Sequence, residues 1–199
     1  MPTDRKVLGD LTGWSTRAIQ LQCTAGLETL SLLQQGRQEV IAIDITERMI
    51  ATARRKTITL GLNAAWYDCD VPDSPAELEG TADLVHTGRG ALLWMMDLDA
   101  WVAVIYRLLK PGRRLHVFEG HPVNWVRDTD APDYRFHPQR GNYFNHGAYL
   151  GEIWPRRFIK WQRKGWTPVN YFCMTANGRL GKISTASSGA VCGLSIFAD

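Results

Sequence analysis

The stretch from Ala18 to Asp44, AIQLQCTAGLETLSLLQQGRQEVIAID, constrains the architecture more than any other part of the chain. Ile19, Leu21 and Cys23 alternate as on a strand, and Leu27, Leu30, Ser31 and Leu33 place an apolar stripe on a helix that stops at Gly36. Val40 to Ile43 is a continuous apolar run, as expected of a strand buried on both faces. Strand, tight turn, helix and a second strand ending in an acid outline a nucleotide-binding βαβ unit. In such a unit the first strand delivers a ligand to the helix N-terminus and the acid takes ribose hydroxyls. A dinucleotide also needs glycines where the backbone approaches a pyrophosphate, yet G-x-G-x-x-G aligned here falls on Gln22, Thr24 and Leu27. Glu28, in the first helical turn, would repel a pyrophosphate while favouring the helix dipole.

The rest of the chain continues the alternation. Thr46 can cap a helix running through Met49, Ile50 and Ala53 to Leu60, with Gly61 as its stop. Ala64 to Tyr67 is a short third strand and Ala82 to His86 a fourth, followed by a helix across Asp97 to Leu109 that Lys110-Pro111-Gly112 ends. Leu115 to Phe118 makes a fifth strand. This order predicts a doubly wound, Rossmann-like α/β sheet with its ligand at the C-terminal strand ends. Pro122 to Ala148 has no clear period but many aromatics, as in lids and binding loops. A helix from about Leu150 to Lys164 would carry Trp154, Phe158 and Trp161 on one face. Strands near Val169 to Met174 and Ala190 to Phe197 are expected to pair antiparallel, because no helical pattern separates them. One domain over 1–199 is predicted, with 1–17 as a lead-in and 122–148 as a cap.

Hydrophobic residues at 45% and charged residues at 22% exclude disorder. Cys23, Cys69, Cys173 and Cys192 are scattered, so neither a zinc site nor a disulfide framework is indicated. No apolar run is long enough to span a bilayer and the N-terminus has no secretory pattern, so a soluble cytoplasmic protein is expected. The net charge of +3 is local: residues 151–166 carry +4 and the remainder −1. That weakens any case for nucleic acid from overall charge.

Six pieces in order, LQCTAGLETLSL, VIAID, DCDV, TADLVHTGRGALLWMMDLDAW, RLLKPGRRL and FEGHP, carry a resemblance. The chain resembles the class I S-adenosylmethionine-dependent methyltransferases, in particular a bacterial branch with an LQCxxGxxTLSL first motif. The resemblance implies a mostly parallel seven-stranded sheet with an antiparallel last strand, and S-adenosyl-L-methionine as cofactor. It places Gln22, Cys23, Thr24 and Gly26 in the turn under the methionine moiety, and Asp44 with Ile45 at the ribose. Asp70 and the backbone of Val71 would face adenine, and Thr87 with Gly88 would line the floor beneath the reactive methyl. The cofactor has no phosphate, so one close backbone approach, at Gly26, could suffice. Bland readings accompany these: Asp44 could simply begin a turn, Asp70 is one of several turn acids, and Cys23 fits a small buried residue. The chain departs from the wider family at Gln20 (an acid), at Gln22 and Thr24 (glycines), and at Arg113 (a glycine after Lys-Pro), each of which could lower cofactor affinity; those at Gln20, Gln22 and Thr24 are shared with the LQC branch that the chain resembles and do not by themselves imply a dead enzyme.

Methyl transfer is an in-line displacement at an activated carbon, so catalysis rests mainly on positioning. Where the nucleophile arrives protonated, His121 just past strand five is the first candidate base and Glu119 the second; a solvated histidine at a rigid His-Pro strand exit is the alternative. His86 is expected to face a neighbouring helix. The aromatic loop, with Tyr143, Phe144 and His146, suits a small planar or apolar acceptor. That loop closes the pocket, or the pocket stays open, or a second subunit covers it in a homodimer. A nucleic-acid methyltransferase gripping phosphates with the basic segment 151–166 is the runner-up, disfavoured because no Asn- or Asp-Pro-Pro-aromatic motif and no Pro-Cys pair is present. A non-catalytic Rossmann-like protein that has lost its cofactor is the third.

Overall fold

A computed structural model describes residues 11, 13–92, 95, 97–120, 131–133, 135 and 136, together with strands at 148–150, 172–174 and 191–197. The chain forms two compact units: Met1–Ala91, Asp97–His121 and Lys182–Asp199 make the first, and Leu92–Met96 with Pro122–Gly181 the second.

The first unit contains a Rossmann-like α/β fold. Its strands are β1 (Arg17–Leu21), β2 (Glu39–Asp44), β3 (Ala65–Asp68), β4 (Ala82–Gly88) and β5 (Leu109–Gly120), and its helices are α1 (Leu27–Gln34), α2 (Glu47–Thr59) and α3 (Leu98–Leu108). The five strands are parallel in the order β3-β2-β1-β4-β5. The order reverses between β1 and β4, which is the switch point where such sheets open a ligand crevice. The Lys-Pro-Gly turn lies inside β5, and the register breaks between Ala82↔Leu109 and Leu84↔Arg114 to accommodate it. Leu21, Ile43, Leu84 and Val85 are buried under the helices, as the continuous apolar strands require. α3 is capped by Asp97, whose carboxylate accepts the Ala100 N–H at 2.9 Å. Among the described residues, no helix is long and apolar enough to cross a membrane.

Two expectations for the C-terminal third are corrected. The strands expected to pair with each other do not: β6 (Ala148–Leu150) pairs antiparallel with β7 (Phe172–Met174), while β8 (Val191–Phe197) runs antiparallel along β5 from Arg114 to Gly120. β5 needs a partner on its second edge, and a seven-residue strand satisfies it where a three-residue strand could not. Leu150, the expected helix start, belongs to β6. The rest of that helix lies outside the described residues. The sheet of the first unit has six described strands.

The lead-in before β1 closes the N-terminal end of the sheet. Leu11 is buried with Ala18, Leu32, Val40 and Leu84. The buried Arg37 guanidinium donates to the carbonyls of Leu11 (2.6 Å) and Ser15. Arg113 donates to the Trp14 carbonyl at 2.9 Å and approaches Asp83 at 3.4 Å. Arg113 is therefore structural and sits at the N-terminal end of the sheet. Asp83 also accepts the N–H groups of Thr16 and Arg17 (2.9 and 3.0 Å) and the Lys110 ammonium (2.9 Å). Burial alone would raise its pKa, but these hydrogen bonds and the Lys110 charge outweigh that and hold it below the usual carboxylate range. A carboxyl lowered on folding contributes stability above its unfolded pKa, near 4, and loses it as pH falls through the folded value. Urea denaturation should show wild-type stability falling below about pH 4 and a flatter acid limb for Asp83→Asn.

Candidate functional site

The turn between β1 and α1 is held in three left-handed steps: φ is 53° at Gln22, 47° at Thr24 and 73° at Gly26. The first two carry side chains in a conformation that glycine adopts most readily, at a cost of about 1–2 kcal/mol each. Interactions from neighbouring elements hold the strained turn. Cys23 N–H donates to the Ile43 carbonyl (3.0 Å), Thr24 N–H to Asp44 Oδ2 (2.7 Å), and Lys56 Nζ to the Ala25 carbonyl (2.9 Å). Thr24 is exposed and β-branched, so Thr24→Gly should stabilise the protein by roughly 1 kcal/mol, measured as a rise in the urea midpoint.

Asp44 ends β2 and is buried, and its second oxygen accepts the Thr46 N–H at 2.8 Å. The predicted Thr46 side-chain cap on α2 is not formed. A carboxylate has about four acceptor sites, so with two filled Asp44 can still accept from a pair of ribose hydroxyls. Ile45, the next residue, is 68% exposed beside it and offers an apolar surface to a base. A turn without pyrophosphate-cradling glycines, a buried acid with spare lone pairs and an adjoining exposed isoleucine fit an adenosyl sulfonium better than a dinucleotide.

Packing requires Gly26: a Cβ there would lie 2.4 Å from Trp66 Cη2, 2.8 Å from its Cζ3 and 2.9 Å from Ala53 Cβ. The close approach is that of α1's first turn to β3 and α2. Cys23 is 2% exposed, and burial, reinforced by the Asp44 charge, pushes its thiol well above the ordinary range. It is a packing residue of the turn.

Asp70 is exposed, and its Oδ1 accepts the N–H of Val71 at 2.7 Å. The Val71 amide expected to face adenine is thus engaged locally. On the other side of the switch point, Thr87 is buried and donates to Gln22 Oε1 at 3.4 Å, while Gln22 Nε2 donates to the Ala91 carbonyl at 2.7 Å. The Gln22 side chain, which the sequence marks only as a missing glycine, ties the β1 turn to the β4 exit. Gly88 packs against β5: a Cβ there would meet the Phe118 carbonyl oxygen at 2.6 Å. Glu119 Oε2 accepts the Gly90 N–H, so this carboxylate holds the β4 exit turn. His121, Tyr143, Phe144 and His146 lie outside the described residues. Among the described residues, no cluster of three or more His, Cys, Asp or Glu could hold a metal.

A buried polar chain below the turn also escaped the sequence reading. Gln20 Oε1 accepts from Thr29 Oγ1, and Gln20 Nε2 donates to Glu28 Oε2 at 3.2 Å. Glu28 pairs with Arg89 at 2.7 Å and lies 3.4 Å from His86 Nε2. His86 thus faces a helix, and the acid on that helix is buried.

Residues 18–112 match a family profile described as a methyltransferase domain. No curated protein matches the chain. Among solved structures, a Listeria monocytogenes protein assigned to the S-adenosylmethionine-dependent methyltransferases is similar over 98% of this chain and 95% of its own, at 18% identity and a TM-score of 0.66. The geranyl diphosphate C-methyltransferase of Streptomyces coelicolor, solved with Mg2+, geranyl-S-thiolodiphosphate and S-adenosyl-L-homocysteine, matches over 58% of this chain and 42% of its own, at 15% identity and a TM-score of 0.52. The cyclase SpnF matches over 64% of this chain and 45% of its own, at 21% identity and a TM-score of 0.52. The chain spans about half the length of the first solved structures it matches. These likenesses show the Rossmann-like fold.

Proposed function

We propose that the protein is an S-adenosylmethionine-dependent methyltransferase acting on oxygen or nitrogen of a small-molecule acceptor. The observation that carries this is Asp44, buried at the end of β2 and anchored through both oxygens by the Thr24 and Thr46 amides. Two backbone donors fix the plane of the carboxylate, so its remaining lone pairs present a preformed acceptor pair to a ribose diol. When bound, the cofactor supplies a methyl group already activated by the sulfonium. The chain's own task is then positioning: Asp44 and Ile45 hold the nucleoside, the Gln22–Gly26 turn lies under the amino-acid part, and Thr87 with Gly88 forms the floor, supported by Gln22 and Glu119.

With its carboxylate committed to Gly90, Glu119 suits holding the floor, which leaves His121 as the preferred base for a protonated nucleophile. Tyr143, Phe144 and His146 are proposed to contact the acceptor from the segment 122–148. The full sheet is proposed to be seven-stranded with its last strand reversed, and the protein to be soluble in the cytoplasm. A homodimer is proposed for the case in which a second subunit completes the pocket.

A second reading has one specific observation in its favour. The Gln22 side chain spans the switch point to Ala91, as it would in a chain that has kept the fold and lost the ligand. SpnF is a cyclase on a similar fold, which illustrates that fold and methyl transfer are separable. Calorimetry with S-adenosyl-L-methionine and with NAD decides between them. Heat with the first alone is the expected result. Heat with NAD alone would overturn the proposal, and none with either favours the second reading.

A further inference from the structure

Directly beneath the proposed floor, the parallel register aligns Gln20 with His86 and His86 with His116 across β1, β4 and β5. Residues paired in this way point to the same face of the sheet. Three polar side chains therefore form a row through an otherwise apolar layer, and all are buried: Gln20 is 2% exposed, His86 0% and His116 7%. α1 adds the buried Glu28 to the row, and the β4 exit adds Arg89, whose guanidinium reaches Glu28.

His86 Nδ1 stands 3.0 Å from His116 Nδ1, with ring centroids 5.1 Å apart. Two imidazole nitrogens at this distance need one proton between them: with none, two lone pairs face each other, and with two, the N–H groups collide. Glu28 Oε2 lies 3.4 Å from His86 Nε2 without meeting hydrogen-bond geometry, and its negative charge favours a proton on that nitrogen. The neutral pair is then His86 as the Nε2–H tautomer, accepting at Nδ1 from His116 as the Nδ1–H tautomer. Glu28 and Arg89 bring opposite charges to this row.

We propose that Glu28, His86 and His116 form a buried positioning unit that holds the turn 87–90 in its ligand-ready shape only while the two imidazoles share a single proton. Thr87 and Gly88 follow His86 on β4 and pair with Val117 and Phe118, the residues after His116 on β5. The Arg89 amide donates to the Phe118 carbonyl at 2.7 Å, so a separation of the strands at the histidine pair is passed straight to the floor. On acidification a second proton breaks the Nδ1 contact, β4 and β5 part locally, and the floor loosens. This inference rests on the reading of residues 87–90 as the floor of a cofactor site.

Two measurements on the full chain test it. Long-range nitrogen–proton NMR near neutral pH should show one Nε2–H and one Nδ1–H imidazole, the second lost in His116→Asn. Titration from about pH 7.5 to about pH 5.5, within the range in which histidine changes charge, should shift the amide resonances of residues 87–90 together with the loss of that pattern. With S-adenosyl-L-homocysteine as the probe, wild-type affinity should fall over the same range. The amide of His116→Asn can turn either its NH2 or its oxygen toward His86 Nδ1, so a second proton no longer breaks the contact and affinity should be flat with pH. Two Nε2–H tautomers in the wild type, or an equal acid loss in the variant, would overturn the proposal. If the wild type binds no probe at any pH, the cofactor reading fails, and the tautomers with the acid response of residues 87–90 still decide whether the unit exists.

Discussion

Gly26→Ala should destabilise the protein by about 2–5 kcal/mol, the sum of overpacking and a left-handed backbone. At roughly 2–4 °C per kcal/mol for a chain of this size, the melting temperature should drop by about 10 °C. The new methyl would overlap the far edge of the Trp66 indole, 2.4 Å away, and the Ala53 methyl, 2.9 Å away. Trp66 cannot easily retreat, because it sits in a buried cluster with Cys23, Ala42, Ile50 and Ala53. Its own backbone carbonyl is also held by Arg54 at 2.7 Å. The double variant Gly26→Ala with Trp66→Leu separates the two costs, since leucine lacks the ring edge while φ stays at +73°. A favourable coupling of about 1–3 kcal/mol between the two changes is expected. Strictly additive losses would show that Trp66 is not the obstacle. S-adenosyl-L-methionine affinity should fall for Gly26→Ala as well, but only through the displaced turn.

Asp44→Asn should separate ligand recognition from folding in the opposite proportion. One amide oxygen can still accept from Thr24 or from Thr46, but the other position becomes an NH2 group facing a backbone donor. Leaving one buried donor without an acceptor costs about 1–3 kcal/mol of stability. For the ribose hydroxyls both the charge and an acceptor are lost, so on the proposed reading affinity for S-adenosyl-L-methionine should fall by about 10–100-fold, the equivalent of one charge-assisted hydrogen bond. Thermal denaturation and calorimetry on one preparation measure the two effects. Unchanged affinity with reduced stability would make Asp44 a turn residue only, which is the bland reading of its sequence position.

The parallel half of the fold is legible because each of its elements carries its own local signal. β2 reads as a buried strand from EVIAID alone, and α3 reads from the Asp97 cap and its apolar spacing. Pairing is not local. Nothing in FCM or VCGLSIF says which edge each will join, and β8 went to the open edge of β5 rather than to its sequence neighbour. At the site, the acid at the end of β2 was visible by type and position. The role of Gly26 was not, because its requirement comes from Trp66, 40 residues on in the chain. Gln22 was legible only as an absence. Its side-chain bonds depend on where the β4 exit lies, and sequence spacing does not encode that. Glu28, Gln20 and His86 come together through helix–sheet packing and register, so a one-dimensional reading sees three unrelated polar residues.

The strands have a division of labour along their length. Asp83, Arg37 and Arg113 tie the lead-in to the N-terminal ends of the sheet, while Gln22, Thr24 and Asp44 sit at the C-terminal ends. The bonds at one end do not depend on the residues at the other. A lineage carrying this arrangement can therefore accept unfavourable replacements in the ligand turn, such as glycine to threonine, without passing the threshold at which the domain unfolds. The Asp83 ion pairs and the Arg37 bonds at the foot of the sheet leave the recognition end room for strained residues, and Gln22 and Thr24 are two that such a reserve would permit.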